Sequence, residues 1–273
     1  MIQASIIIAF YNRLDYLQLV LAGLENQTFR NFEVIIADDG SDSQTVSDLK
    51  ILLSKSPLNV KHIWHEDQGF RKNKILNQAI MRSSNSYLIF IDGDCIPHRE
   101  FIGEHIKNAE NNIVLTGRRV NLSKKISGNL TSALVKKGFF DDGFFTLLKD
   151  GMFGKSKDVE KAIYIRSVVI RNILNRKKRG LLGCNMSVHK NDILHINGFD
   201  ERYQAPSVGE DTDIQYRFEL IGMHIKSLNQ MAIQYHLYHE MQTRPPQNIA
   251  LFEKVKKSGK AYTPYGIIRK ENN

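Results

Sequence analysis

Cysteine is scarce in this chain: Cys95 and Cys184 are the only two in 273 residues, and neither belongs to a CxxC pair. Two cysteines cannot build a disulfide framework, so a reducing compartment, the cytoplasm, is the expectation. Long hydrophobic runs are missing as well. No stretch approaches the roughly 20 apolar residues that a membrane-spanning helix requires. The apolar residues after Met1-Ile2-Gln3-Ala4 give way to Tyr11-Asn12-Arg13 too soon for a signal peptide. Together these absences predict a soluble or peripheral protein. No internal repeat is evident, and Trp64 is the single tryptophan.

What is present is enough apolar material for a large core, 42% of the chain, and an excess of positive charge. The length suits one large α/β domain, or one domain with an appendage. The 38 lysines and arginines outnumber the 29 acids to give +9, which favours phosphates, anionic lipid headgroups or other polyanions as partners. A nucleic-acid role is not expected, because the sequence shows neither aromatic interleaving nor a recognised binding module. The basic residues concentrate between Arg118 and Arg179 and again from Lys254 to Lys260.

Periodicity organises the first third of the chain. Ser5-Ile6-Ile7-Ile8-Ala9-Phe10, Phe32-Glu33-Val34-Ile35-Ile36-Ala37 and Tyr87-Leu88-Ile89-Phe90-Ile91 read as strands buried on both faces of a parallel sheet. Val60 to Trp64 reads as a shorter strand. Leu14 to Leu24, Thr45 to Leu53 and Lys74 to Met81 carry helical spacing between them. Strand, helix and strand with short connections predict right-handed βαβ units and a mainly parallel central sheet flanked by helices.

The spacing predicts four parts. Residues 1–116 form the first part, 117–182 an inserted basic, partly helical segment, 183–240 a third part in which regular patterning returns, and 241–273 a C-terminal tail. The stretch Lys161 to Arg179 suits either an anionic membrane surface, a charged acceptor glycan or a solvated helix face.

Three strands end in polar clusters, Tyr11-Asn12-Arg13, Asp38-Asp39-Gly40-Ser41 and Asp92-Gly93-Asp94. Ligands of open parallel sheets bind beyond the carboxyl ends of the strands. Asp92 and Asp94 place two carboxylates at one mouth, with Gly93 permitting close backbone approach. Hard oxygen ligands of this kind suit Mg²⁺ or Mn²⁺ bridging phosphate oxygens, although an isolated Asp-x-Asp also fits a solvated turn. Asp38-Asp39-Gly40-Ser41 fits a ribose or base contact and an ordinary βα turn equally well.

The ordered series resembles the inverting glycosyltransferases of family 2, which have the GT-A nucleotide-diphospho-sugar transferase fold. It rests on Ser5 to Arg13, on Phe32 to Asp42 (FEVIIADDGSD), on Gly69-Phe70-Arg71-Lys72-Asn73 and on Ile91-Asp92-Gly93-Asp94. It continues in Gly183-Cys184-Asn185-Met186-Ser187, Asn197-Gly198-Phe199-Asp200 and Gly209-Glu210-Asp211-Thr212-Asp213. The C-terminal half is similar to galactosyl- and N-acetylgalactosaminyl-transferases of the chondroitin-polymerase type.

The resemblance implies a nucleotide-sugar site built from Ala9, Phe10, Asn12, Arg13, Asp39, Arg71, Asp92 and Gly93, with Asp39 on the base of a uridine nucleotide. Asp92 would meet the ribose or the diphosphate, Arg71 would supply a cation near the nucleotide, and Asp94 would ligate Mn²⁺ or Mg²⁺ directly. Asp211 matches the general base that deprotonates the acceptor hydroxyl, and Glu210 would orient the acceptor or bond to the donor sugar.

A further metal ligand would come from His236 or His239. Residues three apart on a strand face opposite sides, so only one of the two reaches the cation unless the chain turns between them. Two departures from the family pattern are Ala9 in the first strand and Lys72 where arginine is common.

The function so implied moves galactose, N-acetylgalactosamine or glucose from a UDP-sugar to a glycan or lipid-linked acceptor, inverting the anomeric centre. Its setting would be bacterial polysaccharide or lipopolysaccharide synthesis, in the cytoplasm or peripherally at the inner face of the membrane. The rivals are a catalytically silent carbohydrate- or membrane-binding protein on the same fold, and a sugar nucleotidyltransferase. The latter needs a Gly-rich, Lys/Arg-bearing loop after the first strand, and Ala9 to Arg13 lacks it. Trp64 reads as a core or domain-edge anchor ahead of an acceptor platform, and the two cysteines as buried thiols.

Overall fold

The strands are β1 (Ala4–Phe10), β2 (Phe32–Asp38), β3 (Val60–Trp64), β4 (Tyr87–Asp92), β5 (Cys95–Pro97), β6 (Ile113–Thr116), β7 (Arg118–Asn121), β8 (Asn185–His189), β9 (His224–Ser227) and β10 (Ile233–His236). They come from a computed structural model that describes residues 3–177, 179–205, 211–240 and 246–268, with the Asp142 side chain left aside. Seven of them form one sheet in the order β3-β2-β1-β4-β8-β6-β9, and β5, β10 and β7 form a second, smaller one. The part of this sheet made by β3-β2-β1-β4 is wholly parallel. β8 runs antiparallel to both its neighbours, β4 and β6.

The triple isoleucine of β1 explains the layering. Alternate side chains of a strand point to opposite faces, and Ile6 and Ile8 join one buried cluster while Ile7 joins the other. Val34 and Ile36 on β2, with Ile89 and Ile91 on β4, repeat the first face; Ile35, Leu88 and Phe90 repeat the second. Each face is covered by helices. Leu17, Val20 and Leu24 of the helix Leu14–Glu25 cover the first. Ile75, Ala79 and Ile80 of Lys72–Arg82 and Ile214 and Phe218 of Asp211–Leu220 cover the second. Burying a side chain of this size contributes about 1.5–3 kcal/mol each, an upper figure because unfolded chains already bury some surface.

The segment 117–182 is partly helical, as expected, yet it is not set apart from the rest. β7 lies inside it and pairs with β10. Leu122, Leu130, Val135, Phe140 and Leu147 belong to the same buried cluster as β1, and the Phe140 ring stacks on Tyr235 at 3.8 Å. The Gly-rich aromatic stretch therefore completes the core rather than decorating it. The C-terminal region is likewise more than a tail. It contains the helix Pro246–Ser258, and Asn197 donates through Nδ2 to the carbonyls of Thr263 and Ile268 at 2.7 and 2.9 Å. Among the described residues no helix is long and apolar enough to cross a membrane.

Candidate active site

β1 has parallel partners on both sides: the chain runs from β1 to β2 and β3 on one side, and then from β3 crosses to β4 on the other. Such a switch point leaves a crevice. Register brings Phe10 beside Asp38 and Ala9 beside Asp92, and an open cavity of about 610 Å³ lies there. That volume suits a drug-sized or nucleotide-sized ligand. Ala9, Phe10, Arg13, Asp39, Asp92, Gly93 and Asp94 all line the cavity. Gly93 allows a close main-chain approach: a Cβ there would lie a tight 3.0 Å from the Ala9 carbonyl oxygen, which accepts the Gly93 N–H at 2.8 Å.

Asp39 is almost fully buried and held from two directions. His65 approaches its Oδ1 through Nε2 at 2.8 Å, and the Arg71 backbone N–H donates to its Oδ2 at 2.8 Å. Burial pushes the Asp39 carboxyl up, and the Arg71 amide and His65 only partly oppose that. Its neighbour Asp38 faces away, accepting the Ser41 N–H and pairing with His62 at 2.9 Å.

Asn12 is expected in the nucleotide site, but its side chain serves the loop. It sits at φ +53, its N–H donates to Ser41 Oγ, and its Oδ1 accepts the Asp42 N–H, both at 2.9 Å. Asparagine tolerates this left-handed backbone better than most residues. Arg13 does line the cavity, with its guanidinium paired to Asp15 at 2.8 Å and stacked 3.6 Å over the Tyr16 ring.

Lys72, and not the Arg71 guanidinium, joins Arg13 in lining the cavity. Arg71 folds its side chain back to Gln68 Oε1 at 2.7 Å and to the Glu66 carbonyl, and contributes its main chain to Asp39. Lys72, the first residue of the helix Lys72–Arg82, places Nζ 2.7 Å from Asp92 Oδ1 and lines the cavity. The departure from the family pattern at position 72 thus falls on a residue that brings charge to the cavity.

Asp94 meets both histidines. His239 Nε2 lies 3.3 Å and His236 Nε2 3.5 Å from Asp94 Oδ2, and the two Nε2 atoms are 3.1 Å apart. The chain does turn between them: β10 ends at His236, and the Leu237 N–H donates to the Asp94 carbonyl at 2.9 Å. Tyr16 Oη holds the turn by donating to the Tyr238 carbonyl at 2.6 Å. Burial opposes ionisation of Asp94, yet hydrogen bonds from His236 and His239 outweigh it and hold the carboxyl well below the usual range. The same contact with Asp94 raises the His239 pKa against the opposing effect of burial.

The tautomer of His239 tests whether a cation fits. Its Nδ1 faces the Glu240 carbonyl at 2.8 Å. A carbonyl only accepts, so Nδ1 carries a proton, and neutral His239 then turns the lone pair of Nε2 toward Asp94 and His236. Lone pairs converging on one point call for a proton or a metal ion. Asp94 Oδ2 and the Nε2 atoms of His236 and His239, 3.1–3.5 Å from one another, would hold such a metal ion. One carboxylate and two imidazoles fit Mn²⁺ better than Mg²⁺, which prefers oxygen alone. Cys95 lies near enough to Asp94 and His236 to join such a cluster. However, its thiol donates to Asp94 Oδ1 at 3.3 Å, and burial pushes its pKa well up, so it stays protonated.

Asp211 opens the helix Asp211–Leu220 and is half-buried. It is not among the residues that line the cavity. Its helix is nevertheless anchored to the site. Asp213, two residues on, pairs with the buried Arg217 at 2.7 Å and accepts from Tyr203 Oη at 3.2 Å. Tyr203 in turn donates its N–H to the Asp200 carbonyl, which also receives Asn73 Nδ2 at 2.8 Å, next to Lys72. Glu210 lies outside the described residues.

Two contributors carry no motif in the sequence, His65, which pairs with Asp39, and Asp67, on the following loop, which lines the cavity beside the Gly69-Phe70 motif. The signal was there: β3 pairs in parallel with β2, so the chain leaving Trp64 must emerge beside Asp39. Gly40 shows how closely the loop approaches, because a Cβ on it would lie 2.6 Å from Asp67 Cα. Trp64 itself is half exposed and donates Nε1–H to the Ser41 carbonyl at 3.0 Å, an edge anchor.

A wholly parallel β3-β2-β1-β4 half, a switch-point cavity and a carboxylate with two histidines sit in a fold of GT-A architecture. Residues 5–158 match the model of glycosyl transferase family 2, and the chain belongs to that family. Residues 170–240 match a second model, the N-terminal domain of galactosyltransferase.

Among curated relatives, Escherichia coli chondroitin synthase is 26% identical over 85% of this chain and 34% of its own length. The uncharacterized glycosyltransferase YfnE of Bacillus subtilis is 35% identical over 81% of this chain and 61% of its own. The chain therefore spans only part of these relatives. The fold agrees with the crystal structure of GalNAc-T7 with UDP, GalNAc and Mn²⁺, at a TM-score of 0.66 and 13% identity over 93% of this chain and 48% of that one. It also agrees with Staphylococcus aureus TarS 1-349 in complex with UDP-GlcNAc, at 0.58 and 18% over 94% of this chain and 65% of that one.

Proposed function

We propose that the chain transfers a hexose from a uridine diphosphate sugar to a hydroxyl of a glycan or lipid-linked acceptor, with Mn²⁺ bound by Asp94, His236 and His239. The observation that carries this reading is the convergence of those three side chains, of which Asp94 and His239 line the same cavity as Asp39. Galactose, N-acetylgalactosamine and glucose are the donors favoured, the first supported by the match of residues 170–240 to a galactosyltransferase domain. Polysaccharide or lipopolysaccharide assembly in a bacterium is the setting.

The reaction is a single displacement. The acceptor oxygen bonds to the anomeric carbon as the bond from that carbon to the diphosphate oxygen breaks, and the configuration inverts. Asp211 takes the acceptor proton. A sugar hydroxyl is a very weak acid, so this transfer runs late, once the leaving group has begun to depart. Lys72, beside Asp92, sets positive charge where the diphosphate lies. Bound Mn²⁺ supplies further charge to stabilise the departing UDP. Asp39, kept in place by His65 and the Arg71 amide, bonds to the uracil.

The test is a panel of UDP-galactose, UDP-N-acetylgalactosamine, UDP-glucose and GDP-mannose, with and without Mn²⁺, read as nucleoside diphosphate release. Metal-dependent release from a UDP-sugar is expected. Asp211→Asn is expected to slow transfer while leaving UDP affinity intact. Release from none of the four, with no UDP binding, sinks the reading.

A further inference from the structure

The helix Val168–Leu174 is inside out. Its arginine, Arg171, is only 7% exposed, while Val168 and Val169 are 63% and 69% exposed and Ile173 is 56%. A polar anchor fixes that orientation. The Arg171 guanidinium reaches both Glu104 oxygens at 3.0 and 2.8 Å, and Tyr164 Oη donates to the same carboxylate at 2.6 Å. Asn175, just past the helix, donates to the Arg171 carbonyl at 2.9 Å. Rotating the valines and isoleucines inward would strand a buried carboxylate, so their exposure is built in.

A second helix adds to the surface. Phe144–Met152 buries Leu147 but leaves Phe145 and Met152 each 79% exposed, followed by Phe153 at 72%. Nine of the twenty large apolar side chains exposed among the described residues fall between positions 145 and 173. Exposed apolar surface on this scale marks an interaction site.

The charge of the segment says what covers it. Residues 143–182 hold ten lysines and arginines against three acids, which accounts for seven of the nine net positive charges of the chain. A second copy would bring like charge to like charge, and a soluble anionic glycan has no use for phenylalanine, valine and isoleucine. A bilayer of anionic lipid offers both an apolar interior and a negative surface. No described helix is long and apolar enough to cross it, so the contact is interfacial.

We propose that the 143–182 segment seats the protein on an anionic lipid bilayer, inserting the exposed apolar side chains of its two helices between headgroups that its lysines and arginines neutralise. This goes beyond the transfer reaction and stands or falls separately, because binding is read without donor or acceptor.

The experiment is co-sedimentation of the full chain with phosphatidylcholine vesicles, either alone or containing about one-third phosphatidylglycerol. Binding is expected only to the anionic vesicles and is expected to weaken as salt is raised. Val169→Ser/Ile173→Ser and Phe145→Ser/Met152→Ser are each expected to reduce binding by about tenfold or more, with the thermal midpoint unchanged because the side chains are already in water. Equal binding by the variants overturns the proposal, and so does failure of the wild type to bind. A wild-type dimer that Val169→Ser/Ile173→Ser dissociates would assign the face to a second copy and overturn it too.

Discussion

The Nε2 atoms of His236 and His239 face each other at 3.1 Å, with Asp94 Oδ2 within 3.5 Å of both. Two imidazoles brought this close without a cation must share protons with one carboxylate, whereas a divalent ion satisfies all three donors at once. His239→Ala and His236→Ala are each expected to weaken Mn²⁺ binding by about ten- to a hundredfold. Electron paramagnetic resonance of free Mn²⁺ in a titration measures this. Wild-type affinity in both variants would remove the histidines from the metal centre.

Lys72 pairs with Asp92 at 2.7 Å, both partly buried. Lys72→Met keeps the stem and removes the charge. The loss of a charge-assisted contact to the diphosphate is worth about 1.5–3 kcal/mol, so kcat/KM for the donor is expected to fall about ten- to a hundredfold. Arg71→Met, in which the pocket loses no cation, is expected to cost much less. The reverse ranking would place the nucleotide cation at position 71.

Asp39 carries a pH signature. Burial raises its folded pKa above the ordinary carboxylate value of about 3.9. The folded state therefore holds the proton more tightly than the unfolded one, and stability is lost as pH rises from the ordinary value through the raised one. Asp39→Asn is expected to have a higher thermal midpoint than wild type at neutral pH, with the gap closing as the pH drops below about 4, and to bind UDP more weakly. The neutral His65 ring can accept from the new amide by changing tautomer. A variant less stable than wild type across the whole range would contradict this account.

The buried pair Glu104 and Arg171 is 5% and 8% exposed. Removing one partner leaves an uncompensated charge, so Arg171→Met is expected to cost about 3–5 kcal/mol, read from the urea midpoint. Glu104→Leu/Arg171→Met is expected to recover most of that loss. If the double variant is no more stable than the single one, the cost lies in packing instead.

The legibility of each part in the sequence depends on the interactions that hold it. The parallel strands were plain, because Ile6-Ile7-Ile8 and Leu88-Ile89-Phe90-Ile91 must be buried on both faces, and their polar ends then had to share one edge. Asp94 and its two histidines were named, but the turn that brings both together depends on the Leu237 N–H and the Asp94 carbonyl, a main-chain contact with no side-chain signature. The short strands β5, β6, β7 and β9 have three or four residues each, too few to display a period. Arg71 carries the guanidinium that the resemblance assigns to the nucleotide, yet its backbone serves Asp39 and Lys72 serves the pocket, because successive side chains entering a helix point in different directions. The segment 117–182 looked inserted because its apolar residues belong to several short helices, and no single one shows a long stripe.

The most direct test of the central claim is single-turnover UDP release from the preferred UDP-sugar in saturating Mn²⁺, comparing wild type with Asp94→Ala. The account predicts release by the wild type that a chelator abolishes, and a loss of at least about a hundredfold in the variant. Release by Asp94→Ala at the wild-type rate, or wild-type release indifferent to chelation, would contradict it.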